Sequence, residues 1–222
     1  GHQPILNAGS QSSWHNLANC YFILGRYRKG ADAALYGLFQ EKYARKKNGY
    51  VNRLYATLAQ CYDGLKMQDS ALFYYDISIK ESERLNDRYA EGIIYGYKCN
   101  LLASMFRFED MLVSARQSLA LSRELQSRQM LASSLYNMAY AAYLNNNNKE
   151  ANIHIREALT IAEADSLKDE LKNCYIVLSF IAARDGNFYE SLRAKLKADS
   201  IIEATLNEKV LKTTADLEKK YE

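Results

Sequence analysis

Proline is nearly missing from this chain of 222 residues, since Pro4 is the only one. Every later residue can donate a backbone N–H, so long helices can form without interruption. The sequence also lacks any run of about 18 apolar residues, which excludes a membrane-spanning helix within it. Its four cysteines form no CxxC pair and favour neither a zinc site nor a thioredoxin-like motif. We expect free, buried thiols that pack as small apolar residues.

A predominance of one charge is lacking as well. Lysine and arginine number 29 and aspartate and glutamate 26, which gives a formal net charge of +3. The two signs are interspersed along the chain, whereas a nucleic-acid-binding surface typically shows a basic stripe, so we expect no nucleic-acid partner. Apolar residues make up 48% of the chain and charged residues 25%, proportions that exclude disorder and are typical of a folded soluble protein.

Catalytic arrangements of side chains are missing too. The histidines are His2, His15 and His154, and none has a spacing typical of a metal site. No predicted strand precedes a glycine-rich loop, so the sequence indicates neither a phosphate-binding loop nor a nucleophile elbow. Carboxylates are scattered, and no pair of them lies in an apolar run that would raise a pKa for acid–base catalysis. We therefore predict no enzyme activity, no metal and no cofactor.

What the chain does contain is an internal repeat. Trp14, Leu17, Ala18 and Tyr21 have the spacing W-x2-L-G-x2-Y with alanine for glycine, and a turn at Gly25 follows. The same frame returns at intervals of 41, 40, 40 and 40 residues. Because helices approach closely only where side chains are small, its mostly small positions predict helix–helix contacts. These positions are Ala18, Ala59, Cys99, Ala139 and Ser179; Gly30, Ala71, Met111, Ala151 and Ser191; and Gly37, Ser78, Ser118, Ala158 and Ala198.

This frame resembles that of tetratricopeptide (TPR) repeats, although its period of 40 exceeds the usual 34. The resemblance implies an all-α, right-handed superhelical solenoid of antiparallel helix hairpins, and the longer period predicts helices of about 15–19 residues. Residues 1–12 would form an N-terminal tail, with Gly1 typical of tag removal from a piece of a longer protein. Residues 13–203 would form five repeats, at about 13–48, 50–87, 90–127, 130–166 and 170–203.

Residues 204–222 lie outside the repeat and carry an apolar stripe. Leu206, Val210, Thr213, Leu217 and Tyr221 are spaced four, three, four and four. This spacing predicts a separate C-terminal helix, the eleventh of the chain, that caps repeat five. Its last turns have no repeat left to cover, so we expect them to begin a longer helix or coiled coil, which offers a homodimer contact.

The segment Leu217–Glu222 is similar to one found in bacterial membrane-anchored TPR regulators. In that family it joins an extracytoplasmic TPR sensor to a transmembrane helix, and a histidine kinase or helix-turn-helix regulator follows inside the cell. The resemblance implies a periplasmic or otherwise extracytoplasmic location, with the membrane reached only through parts outside these 222 residues.

Candidate binding residues come from the repeat frame. Tyrosine is abundant, with 18 copies, and several tyrosines fall on first-helix positions that line the concave face of a TPR array. Tyrosine and arginine combine apolar area with polar groups and are favoured at interface hot spots. The predicted concave-face residues are His15, Asn19, Phe22, Arg53, Gln60, Asp63, Asn100, Tyr136, Tyr140, Tyr143, Phe180 and Arg184.

Two functions remain open at this point. The first is a sensor region that binds a protein segment, a peptide or a small ligand for a membrane-anchored regulator. The second is a free-standing, cytoplasmic adaptor or scaffold, and an enzyme built on helical repeats is a distant third. A chaperone adaptor is not predicted: Asn19 matches the carboxylate clamp of such TPR proteins, but His15 and Thr57 stand where lysine and asparagine are expected.

Overall fold

The computed structural model describes residues 11–43 and 49–221 of the chain, and all regular structure in these ranges is helical. His2 and most of the predicted N-terminal tail lie outside the described residues. Ten helices are present in the described ranges: α1 Gln11–Ile23, α2 Tyr27–Tyr43, α3 Val51–Gly64, α4 Gln68–Leu85, α5 Arg88–Ser104, α6 Phe108–Glu124, α7 Arg128–Leu144, α8 Asn148–Ala164, α9 Lys168–Arg184 and α10 Phe188–Tyr221.

The helices pack as consecutive hairpins within two compact units, residues 1–125 and 126–222. Unit 1 contains the pairs α1–α2, α3–α4 and α5–α6, and unit 2 contains α7–α8 and α9–α10. Within each unit the second helix of one hairpin also contacts the first helix of the next. Thus α2 contacts α3, and α8 contacts α9. First helices contact each other as well, so α1, α3 and α5 form one surface of unit 1, and α7 and α9 form one of unit 2. We call each of these surfaces the inner face of its unit.

The small positions of the repeat lie where helices meet, as predicted. Ala18, Ala59, Ala139 and Ala158 are all fully buried. A Cβ atom added at Gly37 would lie 2.8 Å from the Trp14 Cβ and 3.0 Å from a Leu54 methyl group. The contact of α2 with α1 and α3 therefore has no room for a side chain at this position.

Left-handed residues end the first helix of every hairpin. The positions with positive φ are Gly25, Lys66, Phe106, Asn146 and Gly186, at the same repeat interval as the small positions. The N–H that follows each of them bonds back into the helix, as Asn147 N does to the Ala142 carbonyl at 2.8 Å. This geometry ends a helix by satisfying its free carbonyls. In the turns between hairpins, Asn86, Gln126 and Ser166 also have positive φ.

The predicted eleventh helix does not exist as a separate element in the described residues, because α10 runs unbroken for 34 residues. The repeat interval that gives left-handed Asn86, Gln126 and Ser166 next falls on Leu206, which is helical here. Leucine is a good helix former, whereas asparagine tolerates the left-handed region, so Leu206 favours continuation of the helix. The C-terminal half of α10 thus continues the helix and does not fold back as a cap. The side chains of Thr213, Leu217 and Tyr221 lie outside the described part.

The expectation of four buried thiols is wrong for Cys20. Cys61, Cys99 and Cys174 are buried and free, but Cys20 is free and exposed on α1. Burial raises the pKa of the Cys61 thiol to about 11 and that of Cys174 to about 12. These two thiols therefore stay protonated and pack as apolar groups. Cys20 lies two residues after the buried Ala18, on a different side of the helix.

Candidate functional site on the inner faces

A cavity of about 210 Å³ opens on the inner face of unit 1. Three first helices supply its walls: α1 with two residues, α3 with four and α5 with five. Four of the predicted binding residues, His15, Asn19, Arg53 and Gln60, lie around it. The remaining lining residues are Ala56, Thr57, Tyr89, Ala90, Ile93, Ile94 and Tyr97.

The hydrogen bonds around Arg53 hold the wall of this cavity between α3 and α5. Asp87 caps the N-terminus of α5 by accepting from Ala90 N at 3.0 Å, and Arg53 Nη2 approaches its carboxylate at 3.4 Å. Asn52, fully buried, donates to Ser82 Oγ at 3.0 Å and to Asp87 at 3.2 Å. Burial acts to raise the pKa of Asp87, but the Ala90 amide, Asn52 and Arg53 together outweigh it and lower that pKa. The cap therefore stays ionised, and Arg53 is held beside the cavity with part of its guanidinium open to solvent.

His15 contributes a neutral imidazole to the cavity. Burial lowers the pKa of His15, a hydrogen bond with Asn16 opposes this, and the Arg53 charge reinforces it. The His15 Nδ1 atom is buried and has no hydrogen-bond partner among the described residues. The ring faces Tyr50 with a centroid distance of 6.2 Å. At neutral pH the site thus offers a ring with one unused nitrogen and no added charge.

The α5 side of the cavity is aromatic and aliphatic. Tyr89 and Tyr97 lie there with Ile93, and Tyr97 hydrogen-bonds Gln60 of α3. Burial raises the pKa of Tyr97, so its hydroxyl remains a neutral donor. These α5 residues were missed from sequence, although the repeat interval could have found two of them. Ile93 and Tyr97 lie 40 residues after Arg53 and Thr57, both of which stand at first-helix positions.

Three predicted residues of unit 1 lie apart from the cavity lining. Phe22 is half-buried and packs on Tyr27, with ring centroids 5.8 Å apart, as part of the core between the first two hairpins. Asp63 lies near the C-terminal end of α3, and burial raises its pKa while Lys66 opposes the shift. Asn100 is exposed near the end of α5. The position of Phe22 is explained by packing, because a phenylalanine beside the turn fills the interior of the hairpin.

In unit 2 the structure brings together three predicted residues near the ends of α7 and α9. Arg184 stacks its guanidinium on the Tyr143 ring at 3.6 Å from the centroid and donates to the Tyr143 carbonyl. Phe180 stacks on the same tyrosine at 6.1 Å. Tyr136 and Tyr140 are half-buried on α7, two turns and one turn before Tyr143, respectively. The inner face of unit 2 is therefore rich in aromatic rings.

Neither a metal-binding cluster nor a membrane-spanning helix occurs among the described residues. Within residues 11–43 and 49–221 there is no group of three or more histidine, cysteine, aspartate or glutamate side chains able to hold a metal ion. In the same part of the chain, no helix combines the length and apolar character needed to cross a membrane.

Comparison with known proteins identifies the fold. No family model matches the sequence, and no curated protein matches it. Among solved structures, BtubC (BKLC) of P. vanneervenii is similar, with a TM-score of 0.71 and 20% identity over 87% of this chain and 80% of that one. A kinesin light chain-like protein of Podosopora anserina with TPR-like repeats gives 0.67 and 13% identity, covering 88% of this chain and 96% of that one.

A Rap protein solved in complex with Competence and Sporulation Factor is also similar. Its TM-score is 0.73 at 14% identity, covering 91% of this chain but 57% of the Rap chain, so this chain spans a little over half of that protein. The fold is that of a TPR-like helical repeat protein. At these identities the likeness concerns the fold alone.

Proposed function

We propose that this chain is a binding module, and not an enzyme, and that the inner face of each unit can hold an extended peptide segment of a partner. The observation that carries the proposal is the unit 1 cavity, which combines amide, cationic and aromatic side chains from three helices. The Rap protein similar to this chain was solved with a partner factor bound, which supports a partner-binding role for a fold of this kind.

The chemistry of the cavity suits a peptide. The side-chain amides of Asn19 and Gln60 can each donate to a carbonyl and accept from an N–H, which are the two groups a peptide backbone repeats. Tyr89 and Ile93 supply apolar contact area for side chains. Arg53 can form a charge-assisted hydrogen bond with a carboxylate. This mixture of anchors and polar partners is typical of interface hot spots.

Peptide selection tests this proposal. A library of displayed random peptides is selected on the immobilised chain, and the best peptide is titrated by calorimetry. Tyr89→Ala should weaken its binding by about 2 kcal/mol, close to 30-fold, because a tyrosine anchor is lost from a pocket. Phe73→Ala is the matched control, since Phe73 is 59% exposed on a second helix, away from the cavity. Equal affinity of the parent and Tyr89→Ala for every selected peptide would refute the inner-face site.

We further propose that the module is the sensor region of a bacterial membrane-anchored regulator, outside the cytoplasmic membrane. The support is the similarity of Leu217–Glu222 to the segment that precedes the transmembrane helix in that family. The coding sequence after Glu222 tests this: a hydrophobic span soon afterwards supports the sensor. A stop codon there favours the alternative, a free-standing cytoplasmic adaptor.

Self-association through α10 is a second role that we propose for this chain. Phe188, Leu192, Leu196, Ile202, Leu206 and Val210 are between 45% and 74% exposed and fall within a band of about 120° on the helix. The corresponding positions of α8 carry Asn148, Asn152 and Arg156, which bond Asp185 and Glu190 of the next hairpin. The apolar band of α10 is therefore suited to an apolar helix rather than to another such hairpin.

Light scattering after size-exclusion chromatography measures this association. Leu206→Glu should convert a dimer into a monomer, because it places a charge in the apolar band. Leu211→Glu is the matched control, since Leu211 is 70% exposed on the same helix but lies outside the band. A parent chain that remains monomeric at high concentration would contradict the dimer.

A further inference from the structure

The repeat interval relates the unit 1 cavity to a place on the inner face of unit 2. Eighty residues, two repeats, separate Arg53 from Ser133, Thr57 from Asn137 and Ala90 from Glu170. The cationic Arg53 of the unit 1 cavity thus corresponds to the hydroxyl of Ser133 in unit 2. Ala90 of the cavity corresponds to the carboxylate of Glu170. The equivalent places on the two inner faces differ in the sign of their charge.

Glu170 is a buried carboxylate held by α7. Only 9% of the residue is exposed, and its Oε1 accepts from Gln129 Nε2 at 3.1 Å and from Ser133 Oγ at 3.2 Å. Both donors are neutral, and no ion pair to Glu170 forms within the described part of the chain. A carboxylate taken out of water without a cationic partner is unfavourable, so a positive group placed beside it would be stabilised.

The neighbouring cations are already engaged with other carboxylates. Lys172 pairs with Asp169 at 3.1 Å, Lys168 pairs with Glu208 at 2.6 Å, and Arg128 pairs with Asp165 at 2.7 Å. Two of these partners lie outside the inner face, at the end of α8 and on α10. Nothing in the described surroundings therefore supplies the positive charge that Glu170 lacks.

Asn137 adds a second unused acceptor on the same side of α7. It is 3% exposed, and its Oδ1 has no hydrogen-bond partner among the described residues. Asn137 lies one turn after Ser133, and side chains on a helix lean towards its N-terminus, so the amide lies over the turn that holds Glu170. A buried acceptor without a donor is unfavourable and is normally satisfied in a complete site.

We infer that this part of unit 2 binds a cationic side chain, the ammonium of a lysine or the guanidinium of an arginine, from a peptide segment held on its own inner face. The inference rests on the proposed function, because it names the chemistry of the segment that the inner face holds. Glu170 supplies the charge and Asn137 an acceptor for a second N–H. Tyr136 and Tyr140, half-buried on the same helix, offer aromatic rings of the kind that attract cations.

Short probe peptides test the inference on the intact chain. N-acetylated, C-amidated pentapeptides Ala-Ala-X-Ala-Ala are titrated into isotope-labelled protein and followed by the NMR signals of the Asn137 side-chain amide. With X as lysine or arginine we expect binding at least tenfold tighter than with norleucine, which has a similar chain without the ammonium. With X as glutamate we expect none. Equal affinity for lysine and norleucine would overturn the inference without any variant being needed.

A matched pair of variants locates the charge. Glu170→Gln keeps an oxygen to accept from Gln129 and Ser133, and it should reduce the preference for lysine over norleucine to less than twofold. Glu157→Gln is the control, an exposed carboxylate on α8, and should keep the full preference. Retained preference in Glu170→Gln overturns the assignment. If a display-selected peptide still binds unit 1 in that case, only this inference fails; if no peptide binds either unit, the proposed function fails as well.

Discussion

His15 is the residue whose titration the fold most clearly changes at physiological pH. Its pKa is lowered from the ordinary value of 6.5 by burial. The unfolded chain therefore binds a proton at a higher pH than the folded chain, so stability should fall as pH drops below about 6.5. Denaturant unfolding at pH 7.5, 6.5 and 5.5 measures this, and His15→Gln should reduce the slope. An identical pH slope in parent and variant would show that His15 is not the responsible group.

Phe106 is the residue with the least suitable backbone conformation. Its φ is +59°, and its side chain is 80% exposed at the turn between α5 and α6. A bulky residue in the left-handed region is strained, whereas glycine is not. Phe106→Gly should therefore stabilise the chain by roughly 0.5–1 kcal/mol, after allowing for the entropy that glycine loses on folding.

Unfolding in guanidinium measures the change in stability caused by Phe106→Gly. Asn146 occupies the equivalent turn between α7 and α8 at φ +61° and tolerates the conformation, so Asn146→Gly should change stability by only a few tenths of a kcal/mol. A loss of stability in Phe106→Gly would show that the contact of its ring with Phe108, at 6.1 Å, matters more than the strain.

The structural roles that could be predicted from sequence were those of residues constrained by helix packing. Small residues at a constant interval could be assigned to helix contacts because only small side chains allow close approach. The aromatic wall of the cavity was harder to predict, since Tyr89 and Tyr97 look the same in sequence as core tyrosines such as Tyr75, which is 2% exposed. The choice between wall and core depends on the rotation of α5 against α3, which the repeat interval does not specify.

At the level of elements, α7 and α8 pack closely through small residues. Ala139 and Ala158 are both fully buried there. Ala139→Leu should overpack this contact and lower the free energy of unfolding by roughly 1–3 kcal/mol. Thermal and denaturant unfolding check the change, with Ala164→Leu as the control, because Ala164 is exposed at the end of α8. Equal stability of the two variants would contradict the helix register described above.

Helix boundaries followed from sequence wherever a turn had its own chemistry. Gly25, Asn86, Asn146 and Gly186 mark real helix ends, because glycine and asparagine accept the left-handed conformation. The predicted boundary after repeat five failed because it was placed by the period alone. At that place the chain has Leu206, which continues the helix, so the period without a turn residue was not enough.

For the whole molecule, the repeat frame was sufficient to predict an all-α, TPR-like fold, and the solved structures similar to this chain share it. The chemistry of the two inner faces was not predictable to the same degree. His15, Asn19, Arg53 and Gln60 were found by their first-helix positions, but the isolation of Glu170 from any cation required the described geometry. Charge partners depend on distances between helices, which a repeat pattern leaves open.

The central claim is that the inner face, and specifically the unit 1 cavity, holds a peptide segment. The most direct test is a crystal structure of the chain with a display-selected peptide. We expect density for the peptide between α1, α3 and α5, with backbone groups bonded to Asn19 or Gln60 and a side chain against Tyr89. A peptide seated only on second helices, on the turns or on the apolar band of α10 would contradict it.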